Sequence, residues 1–95
     1  MTAYVLVDID VHDPEGYTAY IQAAPATVAL YGGKYLARGG RTEVLEGEVH
    51  PARTVILEFD TIERAKQWLN SPEYAPARSQ RHKTAHTKMI IVEGV

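Results

Sequence analysis

One arginine and two carboxylates are the side chains of this sequence that could form a polar site. Arg38 lies in YGGKYLARGG, residues 31–40, between two Gly-Gly pairs, whereas Asp8 and Glu58 lie in apolar segments. If all three point to one face of a sheet, a guanidinium lies between two carboxylates among apolar neighbours. Such a set is either an ion pair that fixes the register of a dimer, or a ligand or acid–base site with shifted pKa values.

Two aromatic residues form a second candidate group. Trp68 and Tyr74 flank a predicted break between two helical pieces, together with Asn70. They could line a ligand site. They could equally cover the core and each other, because aromatic side chains bury a large area.

The histidines give a weaker signal, that of a metal site. Asp8, Asp10 and His12 alternate along one predicted strand, but two carboxylates and a histidine at a solvated strand end are common on surfaces. His82 and His86 have the spacing of a helical metal pair, yet HExxH is absent and we expect the helix to end between them. We therefore predict no bound metal.

Composition excludes several classes of function. The chain has 95 residues, no cysteine, a net charge of −2 and a pI near 6.0, so it has no basic footprint for nucleic acid and no thiolate chemistry. Neither a signal peptide nor an apolar run of membrane-spanning length is present, so we expect no membrane partner and a cytoplasmic location. Without phosphate loops such as the Walker or Rossmann motif, and without cysteines, we also expect no cofactor. Neither serine has the GxSxG context of a nucleophile.

The two Gly-Gly pairs do not have the context of a phosphate loop. Such a loop needs glycines that lead into a helix N-terminus. Gly32-Gly33 instead leaves a predicted helix, and Gly39-Gly40 lies within a predicted strand. A bulge, or a backbone that runs close under a bulky side chain, explains the second pair better.

Periodicity predicts the elements that position these residues. Residues 3–11 alternate as a strand, and Asp13 with Pro14 opens a helix that Pro25 should kink or split. The other predicted elements are strands over 34–46, 53–59 and 87–94, a turn at EGEVHPA, a helix opened by Asp60 with Glu63, and a helical piece capped by Ser71.

The order βαββαβ predicts one ferredoxin-like α+β domain over residues 1–95. In this sandwich a four-stranded antiparallel sheet carries both helices on one face. The other face would expose Tyr4, Leu6 and Ile56, which are too apolar to remain in water. A two-fold axis would cover both such faces at once, so we expect a homodimer.

Strand direction predicts where the polar set lies. We take the first and third strands as parallel neighbours, so that their C-terminal ends lie beside the start of the second strand. This reasoning puts Asp8, Glu58 and Arg38 at the same end of the sheet.

Several segments together resemble the family called domain of unknown function 1330. They are YTAY, YGGKYLARGG, LEG, VILEFDTIERAKQWLNSPEY and IIVEGV, which span nearly the whole chain. The resemblance implies the dimeric α/β-barrel superfamily, which is similar in fold to cofactor-free quinol monooxygenases, chlorite dismutase-like haem proteins and muconolactone isomerase-like enzymes. In those monooxygenases Asn, Trp and Tyr side chains surround the substrate, which implies a site at Trp68 and Tyr74. The function of the family itself is not settled.

Two hypotheses of different classes follow. The first is a homodimer that binds a small organic acid or phenol-like ligand through Asp8, Arg38, Glu58, Trp68 and Tyr74, with or without cofactor-free acid–base activity; its catalytic residues are unknown. The second is a non-catalytic dimerisation module whose polar cluster is structural. A hollow lined by converging polar groups would favour the first, and a closed, dry interior the second.

Overall fold

The computed structural model describes residues 1–50 and 52–95, and its strands form one antiparallel sheet in the order β2-β3-β1-β4. The fold is therefore α+β and ferredoxin-like, as predicted. The elements are β1 (Ala3–Val11), α1 (Pro14–Leu30), β2 (Lys34–Arg38), β3 (Arg53–Phe59), α2 (Ile62–Leu69), α3 (Ala75–Thr84) and β4 (Ala85–Glu93).

The core lies between the helices and one face of the sheet. Val5, Val7 and Ile9 of β1 are buried there, whereas Tyr4 and Leu6 point to the other side and stay partly exposed. This alternation is the period of two that the sequence predicts. We call the uncovered side, which carries Tyr4, Leu6 and Ile56, the open face.

Helix α1 begins at Pro14 and ends just before Gly32-Gly33, as predicted. The Asp13 carboxylate accepts a hydrogen bond from the Gly16 N–H (3.1 Å), and Gly32, with φ of +75°, follows the C-cap. Pro25 lies inside an uninterrupted helix of 17 residues, so the prediction that it splits the helix is wrong. Buried contacts made by Ala24 and Val28 on either side of Pro25 stabilise the helix across it.

The later helices begin at other residues than the sequence suggests. Thr61, not Asp60, caps α2, because its hydroxyl accepts a hydrogen bond from the Arg64 N–H at 3.0 Å. Ser71 caps only a turn, by accepting from the Tyr74 N–H at 3.1 Å, and α3 begins at Ala75.

Strand β2 is much shorter than the predicted strand over 34–46. Its pairing with β3 shifts register between Tyr35 and Ala37, so the bulge lies there and not at Gly39-Gly40. Regular pairing ends at Arg38, and residues 39–50 form neither helix nor strand. The predicted turn at EGEVHPA includes Pro51, which lies outside the described residues.

Gly39 is where the backbone passes closest to a bulky side chain, as predicted for the second pair. Its φ is +69°, its N–H donates to the Thr54 carbonyl (2.9 Å), and a Cβ built on it would lie 2.3 Å from Nη1 of Arg53. A side chain there would strain the backbone and displace the guanidinium. Gly39 therefore fixes the place that Arg53 can occupy.

We predict that Gly39→Ala lowers the free energy of unfolding by about 1–2 kcal/mol, the cost of a left-handed alanine. The matched control is Gly40→Ala, since a Cβ at Gly40 meets nothing within 4 Å. We expect the control to stay within about 0.5 kcal/mol of the unmodified protein in urea unfolding. Equal losses for the two variants would contradict this role of Gly39.

Candidate functional site

The structure does not bring Asp8, Arg38 and Glu58 together. β1 and β3 are antiparallel, with Tyr4 opposite Glu58 and Asp8 opposite Thr54, so the two carboxylates lie toward opposite ends of the sheet. The predicted parallel pairing is wrong because β3 lies between β1 and β2. The crossover through α1 makes β1 and β2 run in the same direction, and β3 runs against both.

The three side chains also point to different faces. Asp8 and Glu58 lie on the open face, where Glu58 forms an ion pair with Lys34 at 3.2 Å. The bulge in β2 places Arg38 opposite the buried Val55, and its guanidinium reaches α1 on the helix side. The predicted three-residue polar set is therefore wrong, and Arg38 belongs to another site.

Arg38 lines a small hollow between α1, the sheet and α2. The hollow has a volume of about 20 Å³, which is room for about one water molecule. Half of the residues that line it are apolar and not aromatic, and the other six are aromatic residues or arginines. They are Tyr17, Tyr20, Tyr35, Arg38, Arg53 and Trp68.

Pro25 explains how Arg38 is held at this hollow. In a regular helix the N–H of residue 25 would bond to the carbonyl of residue 21, but proline has no N–H. The Ile21 carbonyl instead accepts a hydrogen bond from Nη2 of Arg38 at 2.5 Å. The guanidinium also lies 4.8 Å from the centre of the Tyr35 ring. Arg38 thus links the edge strand to α1 and keeps most of its five N–H donors for other partners.

Arg53 is the functional candidate that sequence reasoning missed. Its guanidinium lies 5.8 Å from the centre of the Tyr17 ring, and its Nε is buried without a hydrogen-bond partner. A buried N–H without an acceptor costs about 1–3 kcal/mol. The only signal in the sequence was an arginine at a core-facing position of a strand.

The hollow has an excess of positive charge. Among the residues that the structure describes, the ion pairs are Lys34–Glu58 and Arg41–Glu43. Neither pair involves an arginine of the hollow, and no described lining residue is acidic. An anionic group would therefore balance charges that the chain itself leaves unbalanced.

The tyrosines of the hollow are donors at neutral pH. Burial raises the pKa of the Tyr17, Tyr20 and Tyr35 hydroxyls above the usual value, and the positive charges of Arg53 and Arg38 oppose only part of this rise for Tyr17 and Tyr35. A hydroxyl that stays protonated can donate a hydrogen bond but cannot act as a base.

Trp68 and Tyr74 are both buried, with their ring centres 4.2 Å apart. Trp68 lines the hollow, and its Nε1 donates to the Thr27 hydroxyl at 3.1 Å. Tyr74 lies one step behind, with its hydroxyl 2.6 Å from that of Tyr20. Both rings are therefore part of the core. Trp68 lines the hollow directly, whereas Tyr74 is connected to it only through its hydrogen bond with Tyr20.

The histidines do not form a metal site in the described part of the chain. No group of three or more His, Asp or Glu side chains there has a suitable arrangement. As predicted, α3 ends at Thr84, between His82 and His86, so the two do not share a helix face. No helix among the described residues has the length and hydrophobicity needed to cross a membrane.

Solved structures resemble this chain in fold. A protein of unknown function from Rhodopseudomonas palustris has a TM-score of 0.78 and 19% identity, covering 99% of this chain and 82% of its own. A dimeric ferredoxin-like protein of unknown function from Jannaschia sp. CCS1 has a TM-score of 0.70 and 11% identity, with 99% and 100% coverage. SnoaB, a cofactor-independent oxygenase from Streptomyces nogalater, has a TM-score of 0.62 and 10% identity, with 99% and 93% coverage.

Sequence comparison gives the family. No curated protein matches the chain. A family model matches residues 2–95, which is nearly the full length of the sequence. The chain therefore belongs to the family described as Domain of unknown function (DUF1330).

Proposed function

We propose that this protein is a homodimer that binds a small organic acid or phenol in the hollow between α1 and the sheet. One observation carries the proposal: Nε of Arg53 is buried without a partner beside a hollow whose arginines have no described carboxylate partner. A carboxylate or phenolate oxygen would accept from these donors and balance their charge.

The size of the hollow defines how such a ligand would bind. A volume of about 20 Å³ admits one oxygen-sized group and not a whole organic acid. The polar head would enter, and the rest of the ligand would extend past Arg38, whose side chain is exposed at the edge strand.

A more specific form of this proposal is that the bound ligand reacts without a cofactor. It is supported by the likeness in fold to SnoaB, which is described as a cofactor-independent oxygenase. Among the described residues, the side chains that line the hollow include no carboxylate or histidine, and the tyrosines are protonated donors. A reaction here would therefore depend on a ligand that enters as an anion, with the arginines stabilising its charge.

The open face supports the homodimer. Leu6 pairs with Ile56 on one side and with Ile90 on the other, which makes an apolar row across three strands. Ile90 is 64% exposed. A second copy would cover this row, and a stable interface buries more than roughly 1,000 Å² in total. Dimeric ferredoxin-like structures with this fold are known.

The alternative function is a non-catalytic dimerisation module. The Lys34–Glu58 pair favours it, since this pair lies on the open face and could fix the register between two copies. In that case the arginines of the hollow would only link the helices to the sheet.

We predict that Ile90→Glu converts the dimer into a monomer, because it places a charge in the apolar row at its β4 end, where the side chain is most exposed. The matched control is Leu30→Glu at the end of α1, where the side chain is 58% exposed on the helix side. Sedimentation velocity at micromolar concentration should give a dimer for the unmodified protein and for the control. A stable monomer for the unmodified protein would contradict the paired-sheet interface.

We predict that a screen of small carboxylic acids and phenols yields a ligand that quenches Trp68, the single tryptophan of the chain. Arg38→Met should weaken that ligand at least tenfold, since a hydrogen bond to a charged group contributes about 1.5–3 kcal/mol. Arg41→Met is the matched control, because this side chain is 87% exposed and forms an ion pair only with Glu43. No binding in the screen, or equal affinity for Arg38→Met, would favour the dimerisation module.

A further inference from the structure

We propose that the ligand group in the hollow is an anionic oxygen, and that buried Arg81 acts on it through the hydroxyls of Tyr74 and Tyr20. This inference rests on the proposed function, because it concerns the same hollow. It adds two positioning residues, Arg81 and Tyr74, which do not line the hollow.

The three side chains form a continuous hydrogen-bonded chain. Arg81 is 4% exposed, and its Nε donates to the Tyr74 hydroxyl at 3.3 Å. The Tyr74 hydroxyl lies 2.6 Å from the Tyr20 hydroxyl, and Tyr20 lines the hollow. The chain therefore runs from a buried cation to the wall of the site.

Chemistry fixes the first donor of this chain and favours one direction for the second. A guanidinium can only donate, so the Tyr74 oxygen must accept from Arg81. Accepting from a cation polarises the Tyr74 O–H and makes it the better donor toward Tyr20. With Tyr74 as the donor, the Tyr20 oxygen accepts, and the Tyr20 proton remains available to a ligand in the hollow.

The charge of Arg81 is not cancelled nearby. Its Nη1 donates to the Thr87 hydroxyl, and its Nη2 lies 3.4 Å from Nε2 of His82. Neither partner is an anion, and neither of the two ion pairs among the described residues involves Arg81. The polarisation of Tyr74 is therefore not offset by a carboxylate.

The opposite wall also presents donors. Nε of Arg53 has no partner, and Arg38 uses Nη2 for the Ile21 carbonyl and keeps its other N–H groups. Tyr20, Arg38 and Arg53 all line this space, which has room for one oxygen-sized group. An anionic oxygen accepts several hydrogen bonds at once, whereas an amide nitrogen would meet these donors with donors of its own.

The test compares each anion with its neutral isostere. Benzoate is paired with benzamide, and 4-nitrophenolate with 4-nitroaniline at mildly alkaline pH, which separates a carboxylate from a phenolate source. Affinities for the dimeric, unmodified protein are measured by calorimetry and checked by Trp68 fluorescence. We expect at least one anion to bind tenfold or more tightly than its isostere.

Variants then test the hydrogen-bonded chain. Tyr20→Phe and Tyr74→Phe should each weaken the anion about fivefold to tenfold and change the affinity for the isostere less than about twofold. The double variant should lose little more than either single variant, because the hydroxyls act as one unit. Tyr31→Phe is the control, since this hydroxyl bonds to Glu73 at the surface.

Each outcome decides a separate point. Equal affinity for anion and isostere would overturn the anionic-oxygen inference and leave small-molecule binding intact. A Tyr20→Phe or Tyr74→Phe variant that weakens both probes equally would overturn the donor chain, as would one that weakens neither. If no probe binds to saturation, the proposed function fails together with this inference.

Discussion

One side-chain hydrogen bond joins helix α1 to the edge strand of the sheet beside the candidate site. It replaces a backbone hydrogen bond that Pro25 cannot make. Pro25 cannot donate to the Ile21 carbonyl, and the guanidinium of Arg38 takes that position at 2.5 Å. A proline inside a helix ordinarily costs about 3 kcal/mol, in part because it leaves a carbonyl unpaired. Here the edge strand supplies a charged donor, and charge-assisted hydrogen bonds are roughly twice as strong as neutral ones. The hydrogen bond offsets part of the cost and fixes Arg38 beside the hollow.

The rest of the site follows from charge and burial around that contact. Gly39 directs the chain away from the sheet and leaves room for Arg53, whose guanidinium lies on the Tyr17 ring. Arg81 is buried on the far side, next to Tyr74. A buried positive charge such as that of Arg81, without a described carboxylate partner, is costly. In the proposed function, an anionic ligand in the hollow would balance the charges of Arg38 and Arg53. The open face lies on the other side of the sheet, and its apolar row is the surface proposed to pack against a second copy of the chain.

The sequence predicts those parts of the structure that depend on period and local capping. The alternation along β1 indicates which residues are buried, and Asp13 with Pro14 locates the start of α1 correctly. Trp68 is a candidate from its residue type, its place beside a predicted helix break and the family resemblance, and it does line the hollow. These features depend on neighbours in the chain, which a sequence displays directly.

What the sequence could not predict depends on long-range geometry. A single bulge between Tyr35 and Ala37 moves Arg38 to the helix side, and the direction of β3 separates Glu58 from Asp8. Arg53 was overlooked because its unpaired Nε results from packing that only the folded chain has. Thr61 replaces Asp60 as a cap for a similar reason: both residue types cap well, and the path of the chain decides between them.

The central claim is that Pro25 acts on the site through Arg38, and a double-mutant cycle tests it most directly. Pro25→Ala restores an N–H that competes for the Ile21 carbonyl. Benzoate affinity would be measured for Pro25→Ala in the unmodified and Arg38→Met backgrounds. The account predicts a loss of about threefold or more in the first background and almost none in the second. An equal loss in both backgrounds, or no loss in the first, would contradict it.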